Sequence, residues 1–452
     1  PYDTFKGTFD GAGHTISNIY VSFLVPVDGH IIGSHGGLFG VTKGAVIRNV
    51  TVNGTLRATA GDTGVIVGNA IDTRIENCTS NVEIVQAKET GGIIGKAEGA
   101  TVIKNCTNKG RITGTERLGG IVSTVASGGS SASASGGVQI ISCSNRAAIS
   151  SSHKYVGGIV SFAETGFKMS ECINMADISA AQNVAPSEDN GGVGGLIGTS
   201  EGAIEISRCV NTGNISGTNY LDYAGGLVGY INSKSQLIES SYNTGAVSGG
   251  AWTVAAGVAN ANASKKSIQP EITSCYSIGA VSSAKADSAY AFFGTGNAEN
   301  CSENYVVTEG AVGAVGLAGA KSVTAATLKA LPAGLGDAYT TDTHKLNNGF
   351  PVLKWQNSTK PGKVVLTGVT NTKERKAVIK WKKQPRAVGY QVYYSTKKTS
   401  GFKLAKTVWD SRATSYTKAG LKKNKTYYFK VRAMGTAADG AYSAVKAVKI
   451  KK

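Results

Sequence analysis

Short apolar runs recur along the first 300 residues, each three or four residues long and each bracketed by glycine or serine. The clearest reads Gly92-Ile93-Ile94-Gly95. It returns as Gly37-Leu38-Phe39-Gly40, Gly120-Ile121-Val122-Ser123, Gly158-Ile159-Val160-Ser161, Gly195-Leu196-Ile197-Gly198 and Gly226-Leu227-Val228-Gly229. Weaker copies are Val65-Ile66-Val67-Gly68, Gly257-Val258-Ala259-Asn260 and Phe292-Phe293-Gly294. The copies end at positions 40, 68, 95, 123, 161, 198, 229, 260 and 294, so the steps run from 27 to 38 residues. A period near 30 marks stacked repeats, in which no unit can bury its apolar face without its neighbours.

Two further phrases keep step with the first. One reads Glu76-Asn77-Cys78, Lys104-Asn105-Cys106, Ile141-Ser142-Cys143, Ser170-Glu171-Cys172, Ser207-Arg208-Cys209, Ser240-Ser241, Thr273-Ser274-Cys275 and Glu299-Asn300-Cys301. The other reads Gly110-Arg111-Ile112, Gly213-Asn214-Ile215, Gly245-Ala246-Val247 and Gly279-Ala280-Val281. Three apolar runs of strand length per repeat, without helical periodicity, predict an all-β parallel β-helix over residues 1–310. It should have about nine coils, three strands to a coil, wound right-handed as parallel crossovers are. At about 4.8 Å per coil the stack would be roughly 40–45 Å long.

All seven cysteines (Cys78, Cys106, Cys143, Cys172, Cys209, Cys275 and Cys301) close the second phrase, which predicts one shared slot in the coil. Side chains stacked at the strand spacing point the same way, whereas a disulfide wants Cβ atoms about 3.8 Å apart and facing. The expectation is a structural ladder of buried free thiols packed as small hydrophobes. Their spacing matches no zinc-ligand pattern.

The repeat stops after residue 310. Residues 311–361 read as a cap and linker, with a short helix opened by Ser or Thr within 322–331, and with Phe350 and Trp355 placed to plug the open core. Residues 362–452 alternate afresh. Strands at 364–369, 376–382, 389–395, 403–408, 415–418, 427–434 and 445–451 predict a seven-stranded β-sandwich with Trp381 in its core, and Leu421 and Tyr427 carry the spacing of a tyrosine corner.

Charge divides the chain the same way. The net charge is +18. Residues 362–452 hold 23 Lys or Arg against Glu374, Asp410 and Asp439, about +20, which leaves residues 1–361 near −2. A dense positive surface suits anionic polymers such as teichoic acids or sulfated glycans, with nucleic acid disfavoured. No run of 18 apolar residues exists, so no membrane-inserting helix is expected. The chain opens at Pro1 in mid-pattern, which suggests a piece of a longer precursor.

Candidate chemistry is sparse. A glycoside hydrolase needs two carboxylates about 5–9.5 Å apart, which a stacked coil would supply from one slot of adjacent repeats. Asp177, Asp222 and Asp287 read as differing slots, Asp62 and Asp72 as isolated, and Glu188-Asp189 as a pair on a loop. His14 has no titratable companion at a fixed spacing. No catalytic set, metal set or cofactor motif is read. Insertions at 126–137 and 185–190 should protrude. The segment just before the glycine phrase carries His153, Lys154 and Tyr155 in one repeat, then Tyr220, Asp222 and Tyr223, then Trp252, then Tyr290. In register, Tyr155, Tyr220, Tyr223, Trp252 and Tyr290 would form an aromatic strip along one edge, suited to sugar rings.

With Gly225 to Gly229 and Phe9-Asp10-Gly11-x-Gly13-His14-Thr15-Ile16, the repeat region resembles the GLUG-motif repeats of large bacterial surface proteins. These occur in Gram-positive gut and mucosal anaerobes and in the non-catalytic part of IgA-specific metallopeptidases. With Trp381, Tyr390-x-Val392-x-Tyr394, Leu421 and Tyr427-x-Phe429-x-Val431, residues 363–452 resemble a fibronectin type III domain. The resemblance implies a secreted or wall-attached multidomain protein and supplies no activity. The leading expectation is a non-catalytic adhesin or stalk module, contacting host glycans, glycoproteins or cell-wall anionic polymers along the β-helix edge or through the basic sandwich. The alternatives are a polysaccharide lyase or glycoside hydrolase built on a β-helix, or the non-catalytic region of such a metallopeptidase. The peptidase's His-Glu-x-x-His zinc helix is not among the chain's five histidines.

Overall fold

The computed structural model describes residues 4–451, apart from 23–25, 28–29, 32–34, 59–60, 128–136, 183–189, 266, 286, 308–316, 343–345, 360, 388, 409–412 and 436–438. Most of the two predicted insertions therefore lies outside the described residues. The chain divides into two compact units, residues 1–342 with 347–351, and residues 343–346 with 352–452.

The first unit is a parallel β-helix. One regular coil shows its anatomy: strands Glu89–Gly91, Ile94–Glu98, Val102–Lys104, Thr107–Asn108 and Ile112–Gly114. That is five short strands where three apolar runs predict three. The extra corners come from residues that the apolar count ignores. A residue just before the cysteine slot takes positive φ in coil after coil: Asn77 (55°), Asn105 (54°), Ser142 (52°), Glu171 (55°), Arg208 (52°), Ser240 (46°), Ser274 (54°) and Glu303 (52°). This left-handed kink splits the second predicted run in two.

Each strand pairs in parallel with its equivalent one coil on, building columns. Among the described residues the column before the glycine phrase has nine strands, the column after it eight, and the column leading into the cysteine slot ten. Inward positions stack like on like. Ile47, Ile75, Ile103, Ile140, Met169, Ile206, Ile238 and Ile272 are in register and buried. Burying one such side chain is worth about 1.5–3 kcal/mol, and each needs the coil above and below to stay dry.

The three glycines of the phrase answer three different close approaches. A Cβ on Gly194 would lie 1.9 Å from the Ile197 carbonyl oxygen, where the chain doubles back on itself. On Gly195 it would lie 2.1 Å from the Gly226 carbonyl oxygen and 2.4 Å from Cγ of Asn211, across the narrow interior. On Gly198 it would meet Ser161 O at 2.6 Å. Where serine takes the third place, its hydroxyl donates back to the facing strand, Ser123 Oγ to Arg117 O at 3.0 Å.

The residue behind the second glycine is a ladder that sequence reading missed. Asn108, Asn145, Asn174, Asn211 and Asn243 are fully buried, and each Nδ2 donates to Oδ1 of the next at 2.8–2.9 Å. The same amides close their own corner, as Asn211 Nδ2 does on Gly213 O at 2.8 Å. The signal was present two residues after Cys106, Cys143, Cys172, Cys209 and Ser241, as Cys106-Thr107-Asn108 and its copies.

The cysteine slot holds Cys78, Cys106, Cys143, Cys172, Cys209, Ser241, Cys275 and Asn304, two residues past the in-register positions Glu76, Lys104, Ile141, Ser170, Ser207, Glu239, Thr273 and Ser302. The expectation of seven cysteines in one slot is corrected at Cys301, which pairs instead with Ile272. The left-handed corner of that coil is Glu303 rather than Asn300, so the slot moves on to Asn304. All seven cysteines are free, six buried and Cys301 partly so. Burial pushes the Cys275 thiol up to about 12 and the Cys301 thiol to about 11.

After the last full coil, Lys321–Val323 adds one more parallel strand on Tyr305–Val307. The short helix Ala325–Lys329 follows, capped by Thr324, whose hydroxyl accepts from Thr327 N at 3.1 Å. The chain then runs against an outer face where Tyr242 and Tyr276 stack at 4.7 Å; Asn347 Nδ2 donates to the Tyr276 hydroxyl at 2.7 Å, and that hydroxyl donates to Pro351 O. Phe350 is half-buried with the Lys329 ammonium 4.6 Å from its ring, outside the packed core, and Trp355 falls in the second unit.

Among its described residues the second unit contains seven antiparallel strands in two sheets. Leu366–Thr370, Ala377–Trp381 and Ser415–Lys418 form one; Lys403–Val408, Gly389–Ser395, Thr426–Met434 and Lys446–Lys449 form the other, in that order. Trp381, Tyr390, Val392, Phe429 and Val431 fill the space between them. The Tyr427 hydroxyl accepts from Lys422 N at 3.1 Å, five residues upstream, as a tyrosine corner does.

Candidate functional site

The doubling-back around the glycine phrase leaves a seam on the outside of the stack. Outward residues of the column before the phrase face outward residues of the column after it, seven positions later. The first wall carries His35, Asp62, Glu89, Arg117, Tyr155, Gly192 and Tyr223. The second carries Asn69, Lys96, Thr124, Phe162, Thr199 and Tyr230. Contacts across it are direct: Arg117 lies 4.3 Å over the Phe162 ring, Gly192 N donates to Thr199 Oγ1 at 3.0 Å, and Tyr223 stacks on Tyr230 at 4.5 Å and 11°.

The seam is charged at one end and aromatic at the other. His35 Nδ1 lies 3.3 Å from Asp62, Lys96 Nζ 2.8 Å from Glu98, and Arg117 Nη1 3.7 Å from Glu89 and 3.6 Å from Glu164. Burial raises the Glu89 carboxyl above its usual range, against the pull of Arg117, and Asp62 adds to the rise. Asp62 and Glu89 occupy one slot of adjacent coils. That corrects the expectation that no such pair exists and that Asp62 stands alone. The alignment is legible once Asp62-Thr63-Gly64 is set over Glu89-Thr90-Gly91; the missing second glycine of the earlier copy, Val65, hid it. Asp62 faces the His35 imidazole, and Glu89 shares the Arg117 guanidinium with Glu164.

The predicted aromatic strip resolves into separate groups. Tyr155 is only 7% exposed, packed edge-on against Phe162 at 5.1 Å beneath Lys154 and Arg117. Tyr155 and Tyr223 share a slot with Gly192 between them. Tyr290 pairs with Ala256, two positions further on, and its hydroxyl donates to Asp287 O at 3.3 Å. Tyr220 and Trp252 sit at the corner that leads into the seam, on adjacent coils, rings 5.6 Å apart and tilted by 48°. Trp252 is 53% exposed. Asp222, beside them, accepts from Gly191 N at 3.1 Å. A shallow depression of about 200 Å³ lies elsewhere, on the outer face of the column before the cysteine slot, bridged by the ion pair Lys168–Glu205 at 2.7 Å. Among the described residues no group of three or more His, Cys, Asp or Glu side chains is placed to hold a metal ion.

Residues 87–113 match the family model of the GLUG motif, and these residues are the coil whose anatomy is given above. Residues 359–448 match the fibronectin type III domain and form one. No curated protein matches the chain. Among solved structures, the chain is similar to the sixth fibronectin type III domain of human fibronectin type III domain containing protein 3 (21% identity, 20% of this chain and 86% of that one, TM-score 0.18). It is also similar to an Fn3-like protein from Clostridium thermocellum (26% identity, 20% and 92%, TM-score 0.17) and to the FN5 domain of Drosophila Lar (22% identity, 20% and 98%, TM-score 0.18).

Proposed function

We propose that this chain is a non-catalytic extracellular module, part of an adhesin or stalk, that contacts glycans along the seam edge of its β-helix. Both matched modules are typical of extracellular proteins. No helix among the described residues is long and apolar enough to cross a membrane. The observation that carries the reading is the Tyr220–Trp252 pair. Two rings from adjacent coils, one more than half exposed, make a platform against which the C–H face of a sugar stacks while its hydroxyls reach water and polar neighbours. The two rings are held on adjacent coils whose strands pair in register, which lowers the ordering cost of binding.

A glycan array probed with the whole chain is expected to report binding, with Trp252→Ala weakening it by about tenfold. An array negative for every glycan would end the proposal. Catalysis is tested separately. The in-register Asp62 and Glu89 are engaged with His35 and Arg117, and the expected result is no reducing-end release from pectin, hyaluronan or mucin glycans. Release by the native chain that disappears in Glu89→Gln would overturn the non-catalytic assignment.

A further inference from the structure

The fibronectin type III domain holds a second surface, built without any residue of the seam. On the outer face of its four-stranded sheet, Lys430 is surrounded by rings. Its ammonium lies 4.0 Å from the centroid of Tyr442, 4.5 Å from Phe402 and 6.0 Å from Tyr393. Arg432, two residues on, lies 5.1 Å from Tyr442 and 6.0 Å from Tyr393. Tyr393 and Tyr442 meet edge-on at 5.3 Å and 84°. Gln391 fixes the arrangement, accepting from Arg432 Nε at 2.8 Å and from the Tyr393 hydroxyl at 3.1 Å.

The charge balance of this surface is incomplete. Asp439 is bonded to Arg432 at 3.1 Å. Lys430 has no carboxylate within reach among the described residues; only ring faces balance its charge. A cation half-buried among rings is partly dehydrated, so an incoming anion meets it at low cost. The domain around it carries about +20, which attracts a polymer of repeating negative charge far more than an isolated anion. The rim adds Leu404, 49% exposed and in register with Tyr393, an apolar shelf of the kind sugar rings cover.

We propose that this face binds an anionic polysaccharide, one anionic group of the polymer sitting on Lys430 while its sugar rings cover Tyr442, Tyr393 and Leu404. Phosphate, sulfate and carboxylate share the required chemistry. A polysaccharide is favoured over nucleic acid because Tyr442, Phe402 and Tyr393, the rings around Lys430, each already carry a cation on one face, and the Leu404 shelf beside them offers apolar surface without a ring for a base to stack on.

The test uses the whole chain over immobilised heparan sulfate, glycerol-phosphate teichoic acid, uncharged dextran and duplex DNA. Binding to at least one of the first two is expected at low salt, falling steeply with added salt, with dextran silent. The better of the two polymers identifies the source. Lys430→Met, which keeps the stem and removes the charge, should weaken that binding about tenfold, while Lys422→Gln with Lys423→Gln, on an exposed loop, should weaken it about twofold. Leu404→Glu, at an exposed position where folding is not at risk, should weaken it as Lys430→Met does. Trp252→Ala should leave it unchanged, which separates this surface from the seam edge. Failure to bind either polymer would overturn the proposal. So would an equal loss in the Lys430 and loop variants, an unaffected Leu404→Glu, or DNA bound as tightly as the better polysaccharide.

Discussion

At five of the left-handed corners a backbone N–H turns away from the ladder, and the side chain of the next coil takes it. Cys143 N donates to Cys172 Sγ at 3.4 Å, Cys172 N to Cys209 Sγ at 3.4 Å, Cys209 N to Ser241 Oγ at 2.9 Å, Ser241 N to Cys275 Sγ at 3.4 Å, and Cys275 N to Asn304 Oδ1 at 2.9 Å. The thiols in turn donate to the carbonyl two residues before them, Cys172 to Ser170 O at 3.4 Å. The slot thus requires a small acceptor that also donates, which explains why Ser and Asn share it with Cys. Cys172→Ser should cost at most about 1 kcal/mol, and Cys172→Val, of similar volume, about 1–3 kcal/mol, because it strands the Cys143 N–H. Urea unfolding curves of the two variants check the order; a valine variant as stable as the serine one would contradict it. The slot itself was visible as a period in the sequence. Its exception at Cys301 was not, because Glu299-Asn300-Cys301 repeats Glu76-Asn77-Cys78 letter for letter and only the backbone register tells them apart.

At the scale of the element, the glycine phrase is a packing device more than a turn. Gly195→Ala would press a methyl into the Gly226 carbonyl and the buried amide of Asn211, both fixed by neighbouring coils. It should lower stability by at least about 3 kcal/mol, whereas Gly368→Ala in the sandwich, with no atom within 4 Å of the new methyl, should change it by less than about 1 kcal/mol. Thermal midpoints of the two variants test the contrast. The sandwich strands were legible almost residue by residue, because one buried and one wet face impose a strict alternation; residues 403–408 and 415–418 are predicted and found with the same bounds. The coil was legible in its period but not in its corners. Hydrophobicity reports what faces the core, and the corners are made by Asn, Ser, Glu and Arg at positive φ, and by an interior asparagine row that counts as polar. The seam escaped for a similar reason: its two walls are seven residues apart, an odd separation that would set the two residues on opposite faces of a continuous strand, and they meet only because the chain doubles back.

Across the whole β-helix, stability is a sum over neighbouring coils, and much of that sum depends on groups that must stay neutral. The Cys275 thiol holds its proton to about 12 in the fold because it is buried, against 9.0 when free. Burial also raises the tyrosine hydroxyls of Tyr276 and Tyr339 well above their usual range. A group whose pKa is higher in the folded state gives stability that is intact below the unfolded value and lost as pH climbs through the folded one. The melting midpoint should therefore hold level from pH 7 to about pH 8.5 and fall progressively above about pH 9, with Cys275→Ser falling less steeply. A midpoint that stays level to pH 11 would contradict this. The hydrogen bonds between coils run along the axis of the stack, so they meet any load applied to its ends one after another rather than together. Tension would open the stack a coil at a time, each of the 27 to 38 residues in a step releasing about 3.3 Å of slack, on the order of 100 Å per coil.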